Sequence, residues 1–204
     1  MPQKLSSYWS AKPLTRSAVN VFAKKTVRQL KPGKRVLDLG CGYGKDSIYF
    51  ARKGLNVTAL DFSRVGTEHI RKEAKRLGYD IDVRYGDLSK KLPFKNGSFD
   101  AVYAHLSLHY FDDRKTQEIF EEVRRVLKPG GFFFVKCKSV DDPLYGKGKE
   151  IGTDMFLHDH VRHFFHKEFM EFLLAHWAVL SVRRTSSTYV DYRSNFIEAI
   201  ARKH

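Results

Sequence analysis

The residues best placed to do chemistry begin at Asp38-Leu39-Gly40-Cys41-Gly42-Tyr43-Gly44, a glycine-rich run between an apolar segment and a stretch of helical period. Glycines at the carboxyl end of a strand leave backbone open to a ligand. A dinucleotide fingerprint would read G-x-G-x-x-G and set a pyrophosphate on the helix N-terminus. Here the third glycine comes one residue early, and the Asp38 carboxylate stands beside the turn. That charge repels a pyrophosphate and suits a cationic amine, which argues against NAD. Two further carboxylates follow, Asp61 after the next apolar run and Asp87 in Gly86-Asp87-Leu88. Taken singly, each is also explained as a helix cap or a turn residue. His105 and His109, in Ala104-His105-Leu106-Ser107-Leu108-His109-Tyr110-Phe111, titrate near neutral pH and suit a general base, though packing or capping would account for them equally.

Four more histidines, His158, His160, His163 and His166, invite a metal reading, because the last three are spaced to share a helical face. Zinc pairs on helices more often use i, i+4 spacing, and no cysteine is adjacent, so no metal site is expected. Cys41 needs no nucleophilic role, since its small size suits a tight turn.

The elements that must hold these groups alternate as short Val-, Ile- and Phe-rich runs and longer helical stretches, the pattern of an α/β sheet with crossover connections. Strands are expected at Arg35–Leu39, Asn56–Leu60, Ile81–Tyr85, Phe99–Ala104 and Phe132–Cys137. Helices are expected over Thr15–Leu30, Asp46–Lys53, from a Ser63 cap to Leu77, Asp113–Leu127 and Lys167–His176. Lys128-Pro129-Gly130-Gly131 reads as a turn, Asp141–Gly152 as a long loop, and Val179–Arg184 with Asn195–Ala201 as a terminal strand pair. Asp100, which begins a strand, is assigned to structure.

At 204 residues and 42% hydrophobic content, the chain is expected to fold as one domain. Its formal net charge of +14 gives that domain a positive field. No apolar run is long enough to span a bilayer, the N-terminus lacks a signal-peptide core, and two cysteines in strand-forming surroundings do not read as a disulfide scaffold. A cytoplasmic protein without membrane attachment is expected.

The run Val36-Leu37-Asp38-Leu39-Gly40-Cys41-Gly42-Tyr43-Gly44 resembles the first motif of class I S-adenosylmethionine-dependent methyltransferases. Asp61, followed by Phe62, resembles the acidic residue that such enzymes use on the ribose hydroxyls. Gly86-Asp87-Leu88 resembles their adenine-contacting loop, Phe99-Asp100-Ala101-Val102 their fourth strand, and Leu127-Lys128-Pro129-Gly130-Gly131 the turn before their fifth. Five ordered elements thus cover roughly residues 31–138. The resemblance implies a Rossmann-like fold, with a seven-stranded, mostly parallel sheet, an antiparallel C-terminal strand and helices on both faces. It implies S-adenosylmethionine as cofactor and S-adenosylhomocysteine as product. Cofactor residues would be Asp38, Gly40, Cys41, Gly42 and Gly44, then Asp61 with Phe62, Asp87 with Leu88, and Ala104.

Within that family, Tyr8-Trp9-Ser10-Ala11-Lys12-Pro13-Leu14-Thr15-Arg16 and Val161-Arg162-His163-Phe164-Phe165 resemble flanking segments of the tellurite-resistance branch, which acts on small molecules. The chain then divides into an N-terminal lid and helix (1–30), a cofactor core (31–138) and a substrate-side region (139–204). Tyr8, Trp9, Arg16, Tyr110 and Arg162 would line the substrate side, with His109, His105 and His163 as catalytic candidates. A small polar or anionic acceptor is the favoured substrate. The basic balance keeps RNA or protein as competing acceptors, and a non-catalytic cofactor-binding role is a further alternative. The segment after the fourth strand lacks an Asn-Pro-Pro-Tyr-like tetrad for base methylation.

Overall fold

A computed structural model describes residues 19–189 and 192–204. Tyr8, Trp9, Arg16 and most of the proposed lid lie outside the described residues. Asn20 caps the first described helix, α1 (Val21–Arg28), its side-chain oxygen accepting the Ala23 N–H at 2.7 Å. Then follow β1 (Arg35–Leu39), α2 (Lys45–Arg52), β2 (Asn56–Asp61), α3 (Arg64–Leu77), β3 (Ile81–Tyr85), β4 (Phe99–His105) and α4 (Asp113–Val126). The remainder comprises β5 (Leu127–Lys138), β6 (Lys149–Gly152), β7 (Met155–Leu157), β8 (Val161–His163), α5 (Lys167–Leu173), β9 (Ala178–Tyr189) and β10 (Tyr192–Arg202).

Seven strands form one sheet in the order β3-β2-β1-β4-β5-β10-β9. Its first five strands are parallel, and β10 runs antiparallel to both β5 and β9. This is the fold expected from the sequence. Strand pleat decides what each face carries. Leu37, Leu39, Val102, Phe133 and Val135 pack against Ile119, Phe120 and Val123 of α4 and Met170 of α5. Val36, Ala101, Tyr103 and Phe134 pack on the other face, against Phe22 of α1 and Phe50 of α2. That second face also carries Asp38 and His105, because the register sets Asp38 beside Tyr103 and His105 beside Lys136.

Two expectations need correction. The end of the expected Asp141–Gly152 loop forms β6, which pairs with β7 and β8 in a separate three-stranded sheet. His160, His163 and His166 consequently share no helical face. His163 lies in β8 opposite Met155, and His166 stands at the N-cap of α5. Hairpin pairing wins because it lets Phe156 and Tyr145 pack against buried Phe164. In addition, Lys128-Pro129-Gly130-Gly131 joins β5 rather than forming a free turn, because Gly130 N–H donates to Lys203 O and Lys203 N–H to Gly131 O.

The glycine run is shaped as much by packing as by openness to a ligand. A Cβ on Gly40 would lie 2.2 Å from the Ser107 Cβ, and one on Gly66 would lie 2.5 Å from the Gly42 carbonyl oxygen. Gly66 therefore lets α3 press its first turn against the loop. A Cβ on Gly42 meets nothing within 4 Å. Gly66→Ala tests this contact, because alanine normally stabilises a helix by about 1 kcal/mol over glycine. A loss of about 1–3 kcal/mol is expected in urea unfolding. A gain would contradict the close approach.

Candidate functional site

The site gathers where β1, β2 and β4 end. Asp38 is buried and accepts the Ser47 hydroxyl at 2.5 Å. Burial, reinforced by Asp46, raises its carboxyl from 3.8 to about 8. Asp46, in the first turn of α2, accepts from Asn20 Nδ2 at 2.5 Å and from the Tyr103 hydroxyl at 2.9 Å, both on Oδ2. Its Oδ1 is buried with no hydrogen-bond partner among the described residues. Burial pushes the Asp46 and Asp61 carboxyls up as well. Among the described residues, the buried Asp38 and Asp61 and the part-buried Asp46 thus surround a loop and are held by hydroxyl, amide and backbone donors, with Lys45 an attractive charge near Asp46. Such an arrangement favours a cation beside it.

Asp61 is held by backbone. One oxygen accepts the Gly42 N–H and the other the Ser63 N–H, each at 2.8 Å. It therefore fastens the glycine loop to the start of α3, and its remaining lone pairs can still accept hydroxyls. Phe62 beside it is half-buried. Asp87 accepts the Ser89 N–H at 2.8 Å and shapes its turn. Leu88 and Ala104 are buried in the α4-side core with Leu39 and Leu60. Leu88 nonetheless reaches the loop, since its Cδ1 lies 3.4 Å from the position of a Gly40 Cβ. Cys41 is half-buried in the turn, and desolvation together with Asp38 and Asp61 drives its thiol well up, so it is no nucleophile at neutral pH.

Beyond β4 the backbone turns sharply. Leu106 takes a φ of 57°, strained for a leucine, and Ser107 donates to the Leu39 carbonyl at 2.5 Å, tying this turn to β1. His105 lies with Nδ1 4.0 Å from Asp46 Oδ2, and burial with Lys136 lowers its imidazole to about 3. His109 is buried too, its Nδ1 lacking a hydrogen-bond partner among the described residues. Desolvation first, then Lys138, His160, Arg162 and His163, hold it well below 6.5. Both histidines are neutral at physiological pH.

His163 faces structure on both ring nitrogens. Nδ1 meets the Phe111 carbonyl at 2.9 Å, and Nε2 lies 3.2 Å from Asp113. Its N–H donates to His109 O at 2.9 Å, so β8 is stapled to the segment after β4. Arg162 bonds Asp159 at 2.6 Å, and the Tyr110 ring sits 4.4 Å from that of His109.

Sequence reasoning missed Asp46, Tyr103 and the buried pair Lys136 and Glu198, whose charged groups lie 3.0 Å apart. The available signal was a lysine at each of two alternate positions, 136 and 138, in an otherwise apolar strand. Lys138 is likewise buried against Asp142 at 2.8 Å. Among the described residues no cluster of His, Cys, Asp and Glu could hold a metal ion.

Residues 36–131 match a protein family described as a methyltransferase domain. An uncharacterized methyltransferase of Synechocystis is 36% identical over 104 residues, covering 51% of this chain and 47% of that protein. The chain spans about half the length, or less, of the curated relatives it matches first. TehB from Haemophilus influenzae superposes with a TM-score of 0.74 at 17% identity, covering 98% of this chain and 67% of TehB. A Burkholderia thailandensis 1,6-didemethyltoxoflavin-N1-methyltransferase, solved with 1,6-didemethyltoxoflavin and S-adenosylhomocysteine bound, superposes at 0.71 with 22% identity, covering 90% and 78%. The fold is the Rossmann-like fold of class I methyltransferases.

Because Asp38 titrates near 8, its carboxyl holds a proton at pH 7 that the unfolded chain releases near 4; stability from this group therefore falls as pH rises through that window. An α-ammonium beside Asp38 favours the carboxylate. S-adenosylhomocysteine should bind with proton release below pH 8, and affinity should rise with pH and level off near 8. Calorimetry at pH 7 in buffers of different ionisation enthalpy checks this, and identical heats would contradict it.

Proposed function

We propose, starting from a chain that carries a class I S-adenosylmethionine-dependent methyltransferase domain, that it transfers a methyl group to a small polar or anionic acceptor. The observation that carries this reading is the open face of Gly42 between the Asp38 and Asp61 carboxylates. Those groups fit the cofactor: Asp38 suits its ammonium, Asp61 accepts from its ribose hydroxyls, and Phe62 with the Asp87-Leu88 turn suits its adenine. When bound, the cofactor supplies a methyl group already activated by a sulfonium.

The residues of this chain then have to orient the acceptor and, where needed, take its proton. His109 is the favoured group. It is neutral, so Nδ1 can accept a proton or hydrogen bond, and the cations that hold down its basicity also favour a polar or anionic acceptor nearby. An imidazole so depressed is a weak base, so its main task is orientation. His105 is the second candidate, while the bonds of His163 fit a supporting role. Arg162 and Tyr110 frame the substrate side, which Tyr8, Trp9 and Arg16 would cover.

Support for a small acceptor comes from the similarly folded 1,6-didemethyltoxoflavin-N1-methyltransferase, which holds 1,6-didemethyltoxoflavin itself. Both cysteines are free thiols, which fits a reducing, cytoplasmic setting. No helix among the described residues is long and apolar enough to cross a membrane.

Transfer from labelled S-adenosylmethionine to a panel of small acceptors tests the proposal. With an active acceptor, His109→Gln should lower kcat about tenfold or more while S-adenosylhomocysteine affinity stays unchanged. At saturating cofactor and acceptor, kcat should show no acid limb near 6.5. Such a limb, or equal loss of turnover and affinity, would remove His109 from its assigned place.

A further inference from the structure

Part of the net charge of +14 lies at a place the proposed reaction does not use. Opposite the glycine loop, β1, β2, β4 and β5 begin and antiparallel β10 ends. Lys34 and Arg35 stand at the start of β1, Lys128 at the start of β5, and Arg202 and Lys203 at the end of β10. Backbone bonds Gly33 N–H to Gly54 O and Gly130 N–H to Lys203 O join these strand ends and set Lys31 and Lys53 among them. The helices α1 and α2 end here with Arg28 and Arg52.

Helix C-termini attract cations, so Arg28 and Arg52 have a local structural account. Lys34, Arg35, Lys128 and Arg202 lie on strand ends; Lys34 and Lys128 share Asp100, while Arg35 lies over the Phe99 ring and Arg202 over the Phe132 ring, neither with a carboxylate partner among the described residues. Carboxylate compensation is sparse. Asp100 accepts the Arg35 N–H at 2.9 Å and serves both Lys34, at 3.4 Å, and Lys128, at 2.9 Å. Glu122 is engaged by Arg125, and Asp82, farther along the sheet, by Arg84. Lys31, Arg28 and Arg52 are exposed without a carboxylate partner among the described residues.

We infer that this edge is a docking surface for a nucleic-acid backbone, which tethers the protein rather than presenting its methyl acceptor. From β2 to β10 the row crosses five strand ends, roughly 19 Å at the usual strand spacing of about 4.8 Å. A row of cations, exposed except for the part-buried Lys128 and Lys203, matches a chain of phosphates, whose neutralisation releases counterions. A lipid surface would also require apolar insertion, and the row itself has no exposed large apolar side chain. Val179 and Leu180 lie beyond it, on edge strand β9. Delivery of the same nucleic acid to the glycine loop is disfavoured, because that loop lies at the other end of the strands.

The test is fluorescence anisotropy with a labelled 20-nucleotide single-stranded RNA and its duplex, across a salt series. The full chain should bind, and log K should fall with log salt. The Lys31→Glu/Lys53→Glu/Arg202→Glu variant should bind at least about tenfold more weakly, with a slope about 2 units shallower, at about 0.7 for each phosphate no longer neutralised. Binding of S-adenosylhomocysteine should be retained, and the Gln versions of the same substitutions provide a milder set should the Glu variant not fold. Lys90→Glu/Lys147→Glu/Lys149→Glu changes net charge equally elsewhere and should leave RNA affinity within about twofold. The inference is overturned by absence of RNA binding at 50 mM salt, by equal weakening in both variants, or by binding to anionic phosphatidylserine vesicles in place of RNA.

Discussion

The crowding of two buried carboxyls and a third, part-buried one around one glycine loop is the constraint on which the rest of this structure depends. Asp38, Asp46 and Asp61 are held by hydroxyl, amide and backbone donors, and Asp38 also by keeping its proton at pH 7. Such an arrangement costs stability in the free protein, and it persists because everything near it is fixed: Ser107 against Gly40, Gly66 against Gly42, and Asn20 and Tyr103 on Asp46. A cationic ligand turns that cost into affinity.

The same network connects parts of the chain that lie far apart in sequence. Asn20 caps α1 and also bonds Asp46, so the first described helix is anchored to the first turn of α2. Ser107 anchors the segment after β4 to β1, and His163 anchors β8 to that segment. Movement of the acceptor side is thereby linked to the loop through a short series of hydrogen bonds, whereas the basic edge at the far end of the sheet is connected to it through the length of the strands and of α1 and α2.

Much of this was legible in the sequence because it is local. The β1–glycine–α2 unit, the Ser63 cap and the terminal strand pair follow from turn chemistry and hydrophobic period. The three-stranded sheet was not legible, because Lys149–Gly152 carries no apolar alternation and becomes a strand only by pairing with Met155–Leu157. The roles of Asp46 and Tyr103 were hidden because they depend on the register of β1 against β4. His163 suggested chemistry by type, but its neighbours, the Phe111 carbonyl and Asp113, come from 50 residues or so away in sequence and engage both its ring nitrogens. Gly40, whose Cβ position is blocked, looked the same in sequence as Gly42, whose Cβ position is open.

Calorimetric titration of the purified chain with S-adenosylhomocysteine, with NADH as the comparison ligand, tests the central claim most directly. Above pH 8, where Asp38 is ionised, the carboxylate-flanked loop predicts micromolar binding of S-adenosylhomocysteine and none of NADH, whose pyrophosphate would meet Asp38. Preference for NADH, or silence towards S-adenosylhomocysteine above pH 8, where Asp38 is ionised, would contradict the account.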